Sequence, residues 1–160
     1  MADRVSNGLT PFRVIVTGSR DWPDPARIRG ALEALACQHP EGLTVVHGDC
    51  PDGADRMSRD WAREQRRAGR RVADEPHPAD WLKYGRAAGF RRNAEMAALG
   101  ADMCIAYLMP CVKPACRDRA PHDSHGTADC VGHAVRAGID TRRFWLDGPG
   151  PASRTLPLVF

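Results

Sequence analysis

Between Cys111 and His133 the chain reads CVKPACRDRAPHDSHGTADCVGH, a stretch that gathers three of its six cysteines and three of its six histidines. Cysteine thiolate and histidine imidazole are the ligands that zinc prefers, about four of them in a tetrahedron. The spacing Cys111-x4-Cys116-x5-His122-x7-Cys130 offers such a set, and His125 or His133 is placed to stand in for any one member. Pro110, Pro114 and Pro121 stiffen the chain between the ligands. The expectation is a structural zinc site in an inserted loop over residues 109–125. The plainer alternative is a loop of reduced cysteines and exposed histidines, and the compactness of the tract favours metal.

The same stretch contains SHGT, a small-residue turn of the kind that wraps a phosphate, which makes Ser124, Gly126 and Thr127 ligand candidates. Two further segments have that character. TGSRDW supplies Gly18, Ser19 and Arg20, and HGDCPDGAD supplies Gly48, Gly53 and Asp55. Glycines let backbone N–H groups approach an anion, and a helix N-terminus adds partial positive charge. Arg20 is suited to a bidentate contact with phosphate. Asp52 or Asp55 is placed to accept from ribose hydroxyls or a base edge. Each residue also has a plain structural reading: the glycines as turn formers, the aspartates as helix caps, Arg91 and Arg92 as solvated charges, Asn93 as a helix-surface residue. What decides between the readings is whether the fold brings these loops together.

The pattern of elements says that it does. FRVIVTGSR carries a β-branched run from Phe12 to Val16 that reads as a buried strand ending at Gly18. DPARIRGALEALACQ follows with Asp24 as N-cap, Pro25 at the first helical position, and Ile28, Ala31, Leu32, Leu35 and Ala36 on one face. LTVVHG is a second strand, and the helix after it lines up Ala54, Met57, Ser58, Trp61, Ala62 and Gln65. A weaker third strand lies near Val72, with no clear helical partner. GFRRNAEMAALG is a helix with Phe90, Ala94, Ala97 and Ala98 on one side and Gly100 as its stop. ADMCIAYLM is the fourth strand, TADCVGHAVRAG a helix closed by Gly138, and TRRFWL a last strand. Alternating strands and helices give an α/β fold, a Rossmann-like three-layer sandwich with a mostly parallel sheet. In such sheets ligands bind outside the carboxyl ends of the strands. All three loops lie at those ends.

Four motifs in this order, VTGSR, VVHGDCPDGAD, GFRRNAEM and SHGTADC with AVRAGI, resemble the YpsA-related branch of the SLOG superfamily over roughly residues 12–144. That superfamily includes the Lonely-guy phosphoribohydrolases and the single-strand DNA-binding protein DprA. The resemblance implies a Rossmann-like fold and a nucleotide or nucleotide-derived ligand, with Gly18, Ser19, Arg20, Gly48, Gly53 and Asp55 in ligand loops. The enzymatic branch carries an arginine in R-K-x-E-M and a glutamate in P-G-G-x-G-T-x-x-E. Here RRNAEM puts Arg92 at the arginine position and Asn93 at the lysine position, which makes both ligand-binding candidates. Gly126 and Thr127 are retained, but Cys130 stands where the glutamate belongs, with Asp129 one residue before it. A thiol does not replace a carboxylate that must accept a proton. The resemblance therefore implies binding or sensing ahead of hydrolysis, and no catalytic residue is assigned.

At 160 residues the chain suits one domain, set between a loose leader (residues 1–11) and a Pro/Gly-rich tail (residues 148–160), with the domain spanning residues 12–147. No apolar run approaches the roughly 20 residues of a membrane helix, and MADRVSNGLTPF has no apolar signal core, so the expected location is cytoplasmic. A net charge of +3 is too mild to argue for nucleic acid by itself. Two alternatives remain: an N-glycosidic hydrolase of nucleoside monophosphates, with Arg92 on the phosphate and Asp129 or Glu95 at the sugar, and a single-strand nucleic-acid module using the REQRRAGRR run. That run also reads as the solvated face and end of an amphipathic helix. Trp22 and Trp81 are candidates for closing the crevice or for a contact within a homo-oligomer; core packing is the other reading for both.

Overall fold

The β-branched run after Pro11 forms β1 (Phe12–Gly18), the central strand of a five-stranded parallel sheet. The computed structural model describes residues 10–146. The expectations of a loose leader and a loose tail fall almost wholly outside them. Sheet order is β3-β2-β1-β4-β5, with β2 spanning Leu43–His47, β3 Val72–Pro76, β4 Met103–Leu108 and β5 Asp140–Trp145. The chain runs outward from β1 to β3, then returns to lay β4 on the other side of β1. That reversal places the switch in strand order between β1 and β4, where an open parallel sheet leaves a crevice.

Helices α1 (Pro25–Gln38) and α2 (Gly53–Arg67) cover one face of the sheet. Their Ile28, Leu32, Leu35 and Trp61 are buried against Val14, Val16, Val45 and Ile105. Asp24 caps α1 by accepting from the Arg27 N–H at 3.0 Å, and Pro25 opens it, as the sequence indicates. On the other face α4 (Ala88–Ala98) and α5 (His125–Arg136) close over Ile15, Val46 and Cys104. The weak third strand does have a helix after it: a single turn, α3 (Trp81–Tyr84), leads through a 3-10 turn into α4.

One sequence expectation is corrected, and for Trp22 one of two open readings holds. The inward side of α4 is Ala88, Asn93, Met96 and Ala97, whereas Phe90 is 45% exposed. An asparagine faces in because both its amide hydrogens find acceptors on α5, which removes the cost of burying them. Trp22 does not hang over the crevice. It is buried beside Tyr107, with its indole N–H donated to the Asp24 carbonyl at 2.9 Å. Trp81 remains half exposed.

His47 ends β2 fully buried, accepting the Asp49 N–H on Nδ1 and leaving Nε2 without a partner. Burial pushes its pKa down to about 4, against the pull of Asp49 and Asp74. A folded-state pKa below the unfolded value of about 6.5 means stability that is complete above pH 6.5 and lost as pH falls toward 4. The loss amounts to roughly 3 kcal/mol if the neutral imidazole must charge in place. Urea unfolding at pH 7 and pH 4.5 is expected to show that step, and His47→Met to abolish it. An identical pH dependence in the variant would assign the acid sensitivity elsewhere.

Candidate functional site

Loop meets loop at the carboxyl edge through glycines. A Cβ on Gly18 would lie 2.6 Å from the Ala54 Cβ and 2.8 Å from the Tyr107 Cβ. Gly53, at φ +67, opens α2 with its Cα pressed on the backbone of Ser19 and Arg20; a Cβ there would overlap the Ser19 carbonyl and stand 2.5 Å from the Arg20 Cα. The Ser19 carbonyl accepts from both Trp22 and Ala54, and the Ser19 N–H donates to the Tyr107 carbonyl. The loops after β1 and β2 are thereby zipped together, and the end of β1 is tied to the end of β4. These glycines are required first for that contact, since only a residue without Cβ permits the approach.

The second loop is braced from beneath. Asp55 is buried, and one carboxylate oxygen accepts the Cys50 N–H at 3.3 Å. Burial raises its pKa, with the nearby Arg92 charge and the N–H groups of Cys50 and Gly48 opposing the rise. Arg92 reaches from α4 to the carbonyls of Gly48 and His77, and its guanidinium fills the space where a Gly48 side chain would be. Its Nε donates to the Asn93 side-chain oxygen at 2.9 Å. Asn93 in turn donates to the Gly126 carbonyl at 3.1 Å and to the Asp129 carboxylate at 3.0 Å. A continuous line of hydrogen bonds thus runs from the HGDCPDG loop through α4 to the SHGT turn. Sequence reasoning placed Arg92 and Asn93 as ligand contacts; the structure spends most of their donors on holding the loops in register.

Facing solvent at this edge are Arg20, which is exposed and makes no hydrogen bond or ion pair among the described residues, and the start of α5. Ser124 is the N-cap, but its hydroxyl donates to Thr127 Oγ1 at 3.0 Å and caps no backbone N–H. The Ala128 N–H returns to the Ser124 carbonyl, so the N–H groups of His125, Gly126 and Thr127 have no acceptor inside the helix.

The loop from β4 to α5 is pinched at its neck. Pro110 bridges Asp123, the Cys111 N–H donates to the His122 carbonyl at 2.8 Å, and the Ser124 N–H donates to the Met109 carbonyl at 2.9 Å. Beyond the neck, the ligating atoms of Cys111, Cys116, His122 and His125 all lie within 4.8 Å of one another, a group that can hold a metal ion. Cys116 Sγ is 3.3 Å from Nε2 of each histidine, and the two Nε2 atoms are 3.1 Å apart. A tetrahedron with Zn–S near 2.3 Å and Zn–N near 2.0 Å has edges of about 3.3–3.8 Å, close to these separations. His122 Nδ1 lies 2.8 Å from the Ala120 carbonyl, which fixes the proton there and turns the Nε2 lone pair inward. The Lys113 N–H holds the Cys111 thiol below its ordinary pKa, with Cys116 and His122 adding to the effect.

The fourth member is His125, not Cys130. Cys130 is 1% exposed on the inner side of α5, where it packs in the buried cluster that holds Cys104 of β4 and Ile15 of β1. A residue six positions into a helix that packs on the sheet cannot turn back to a loop on its outer side. The signal for His125 was present in the SHGT turn, as the helix's first residue and three places after His122.

A family profile described as the YspA, cpYpsA-related SLOG family matches residues 12–84. The chain is 40% identical to the gene 61 protein of Mycobacterium phage D29 over 132 residues, 82% of this chain and 95% of that protein. No solved structure matches. Among the described residues, no helix is long and apolar enough to cross a membrane. The zipped loops at the switch point and these matches agree: the chain belongs to the YspA and cpYpsA-related SLOG family.

Proposed function

We propose that the chain binds or senses a nucleotide or nucleotide-derived molecule at the carboxyl edge of its sheet, with a structural zinc ion in the Cys111, Cys116, His122, His125 loop. What carries this reading is that an uncommitted arginine and an open helix N-terminus follow β1 and β4, the two strands that flank the strand-order switch. Arg20 supplies a fixed positive charge, and the N–H groups of His125, Gly126 and Thr127 supply oriented donors for phosphate oxygens. Family membership supports a nucleotide-related ligand. Zinc would fix His125, and through it the first turn of α5, without taking part in chemistry, because four protein ligands leave no open position.

Hydrolysis of the ligand is not expected. The position that carries the glutamate in the enzymatic relatives holds Cys130, which is buried against Cys104. Asp129 is engaged by Asn93 at 3.0 Å and lies 3.5 Å from His133. Titration calorimetry with nucleoside monophosphates, followed by an assay of the same mixtures for free base, tests both halves. Arg20→Ala is expected to weaken binding about ten- to a hundredfold, as a charge-assisted contact of roughly 1.5–3 kcal/mol requires, with an unchanged melting temperature and no base released. Equal affinity in the variant would remove Arg20 from the site, and stoichiometric base release would restore the hydrolase reading.

A further inference from the structure

Helix α2 presents different chemistry to its two flanks. Toward α1, Glu64 is held by both terminal nitrogens of Arg29. Toward the sheet edge, Arg63, Arg66 and Arg67 line a surface groove of ≈ 720 Å³ together with Asp74 and Pro76 of β3. The floor is neutral: Asp74 accepts from Arg63 Nε at 3.0 Å, and the partnerless Nε2 of His47 lies behind it at 3.9 Å. The rim is not neutral, because Arg66 and Arg67 are exposed and their guanidinium groups make no hydrogen bond or ion pair among the described residues. The crevice at the switch point uses none of these side chains.

We propose that this groove binds the backbone of a single-stranded nucleic acid. Arg63 stands three and four residues before Arg66 and Arg67, a rise of about 4.5–6 Å, so the three share one side of the helix, with Arg63 paired to Asp74 and Arg66 and Arg67 carrying the free charge. All the basic residues from Arg63 to Arg71 are arginines; the guanidinium fork grips phosphate oxygens in pairs and stacks on bases. The opposite wall is the outer edge of β3, which pairs only with β2. In this register the outward positions are Val72, Asp74 and Pro76, since the His77 N–H points inward to the His47 carbonyl. Val72 donates to the Arg70 carbonyl and Pro76 has no N–H, which leaves Asp74 as the sole free donor on that edge. An added peptide strand would find too few donors for a ladder. What the edge does offer is outward carbonyls, acceptors for the exocyclic amines of unpaired bases, which a duplex keeps turned toward its own partner strand. A lipid surface is disfavoured because the lining residues are arginine, aspartate and proline, with no apolar side to insert.

The test is fluorescence anisotropy with a labelled 15-nucleotide single strand, as DNA and as RNA, and with the matching duplex, over a salt series. Binding to one or both single strands is expected, weakening as salt rises. Arg66→Gln with Arg67→Gln is expected to cost at least tenfold in affinity and to flatten the log–log salt slope by about 1.4, two single-strand phosphate contacts at about 0.7 each. Arg143→Gln, exposed on β5 at the far edge of the sheet, removes one charge elsewhere and is expected to change affinity less than twofold. The double variant should keep its melting temperature and its mononucleotide affinity, which separates this groove from the crevice. The proposal is overturned if the double variant binds the strand as tightly as the parent, if Arg143→Gln loses as much, if the duplex binds equally well, or if only anionic vesicles or an acidic peptide bind.

Discussion

Elemental analysis is expected to find close to one zinc per molecule in the parent and none in Cys116→Ser. Cys116 Sγ lies 3.3 Å from the Nε2 of each histidine, so its loss removes one corner of the tetrahedron and half of the thiolate charge. Structural zinc in small finger peptides contributes apparent free energies of about 10–16 kcal/mol. Here the sheet has its own core, and the loss should be confined to residues 109–125 and the first turn of α5. Hydrogen exchange is expected to accelerate there and to stay unchanged in β1 and β4. Because His125 is both a ligand and the first residue of α5, the same variant should weaken nucleotide binding about tenfold. Cys37→Ser, exposed and outside the group, should keep its metal. A Cys116→Ser protein with full zinc, or with the parent's stability and ligand affinity, would contradict the site.

The second large effect is expected at Gly53. A methyl group there meets backbone atoms of Ser19 and Arg20, and the residue sits at φ +67. Left-handed strain costs about 1–3 kcal/mol for a side-chain-bearing residue, and a forced contact costs about 1–3 kcal/mol more. Gly53→Ala should therefore lose on the order of 2–6 kcal/mol, a large share of the 5–15 kcal/mol typical of a domain. Gly69 provides the internal comparison: its φ is +79, but nothing lies within 4 Å of its added Cβ. Gly69→Ala should lose only the strain component. Denaturant midpoints for the two variants read the difference directly. If they are equal, the loops after β1 and β2 have room to part, and the glycine zipper does not hold the crevice.

The layers of the fold were legible because strand and helix periods are local properties. Ile28, Leu32 and Leu35 announced their buried face, and Asp24 announced the cap. The face of α4 was misread because its inward residues include Asn93, whose burial makes sense only once Gly126 and Asp129 arrive from 33 and 36 residues away. The Cys/His group takes His125, offered by the spacing only as a stand-in, in place of Cys130 for a related reason. Spacing along the chain gives no information about which side of a helix meets the sheet, and that choice sent Cys130 inward to Cys104 while leaving His125 at the loop. Arg92 is the mirror case: a motif position that sequence comparison marks for a ligand, but whose guanidinium is here committed to the Gly48 and His77 carbonyls.

The position of β1 has a consequence for how the chain is made. It is the first strand among the described residues and it ends up in the middle of the sheet, paired to β2 on one side and to β4 on the other. As the chain leaves the ribosome, β1, α1, β2, α2 and β3 can assemble, since most of their shared core lies among themselves. The second edge of β1 then stays bare until Met103–Leu108 has emerged. An unpaired central edge made of Val14, Ile15 and Val16 is a template for pairing with another nascent chain. The half-sheet is therefore the vulnerable species in the life of this protein, and slowed translation between β3 and β4 should raise the aggregated fraction more than the same delay after β5.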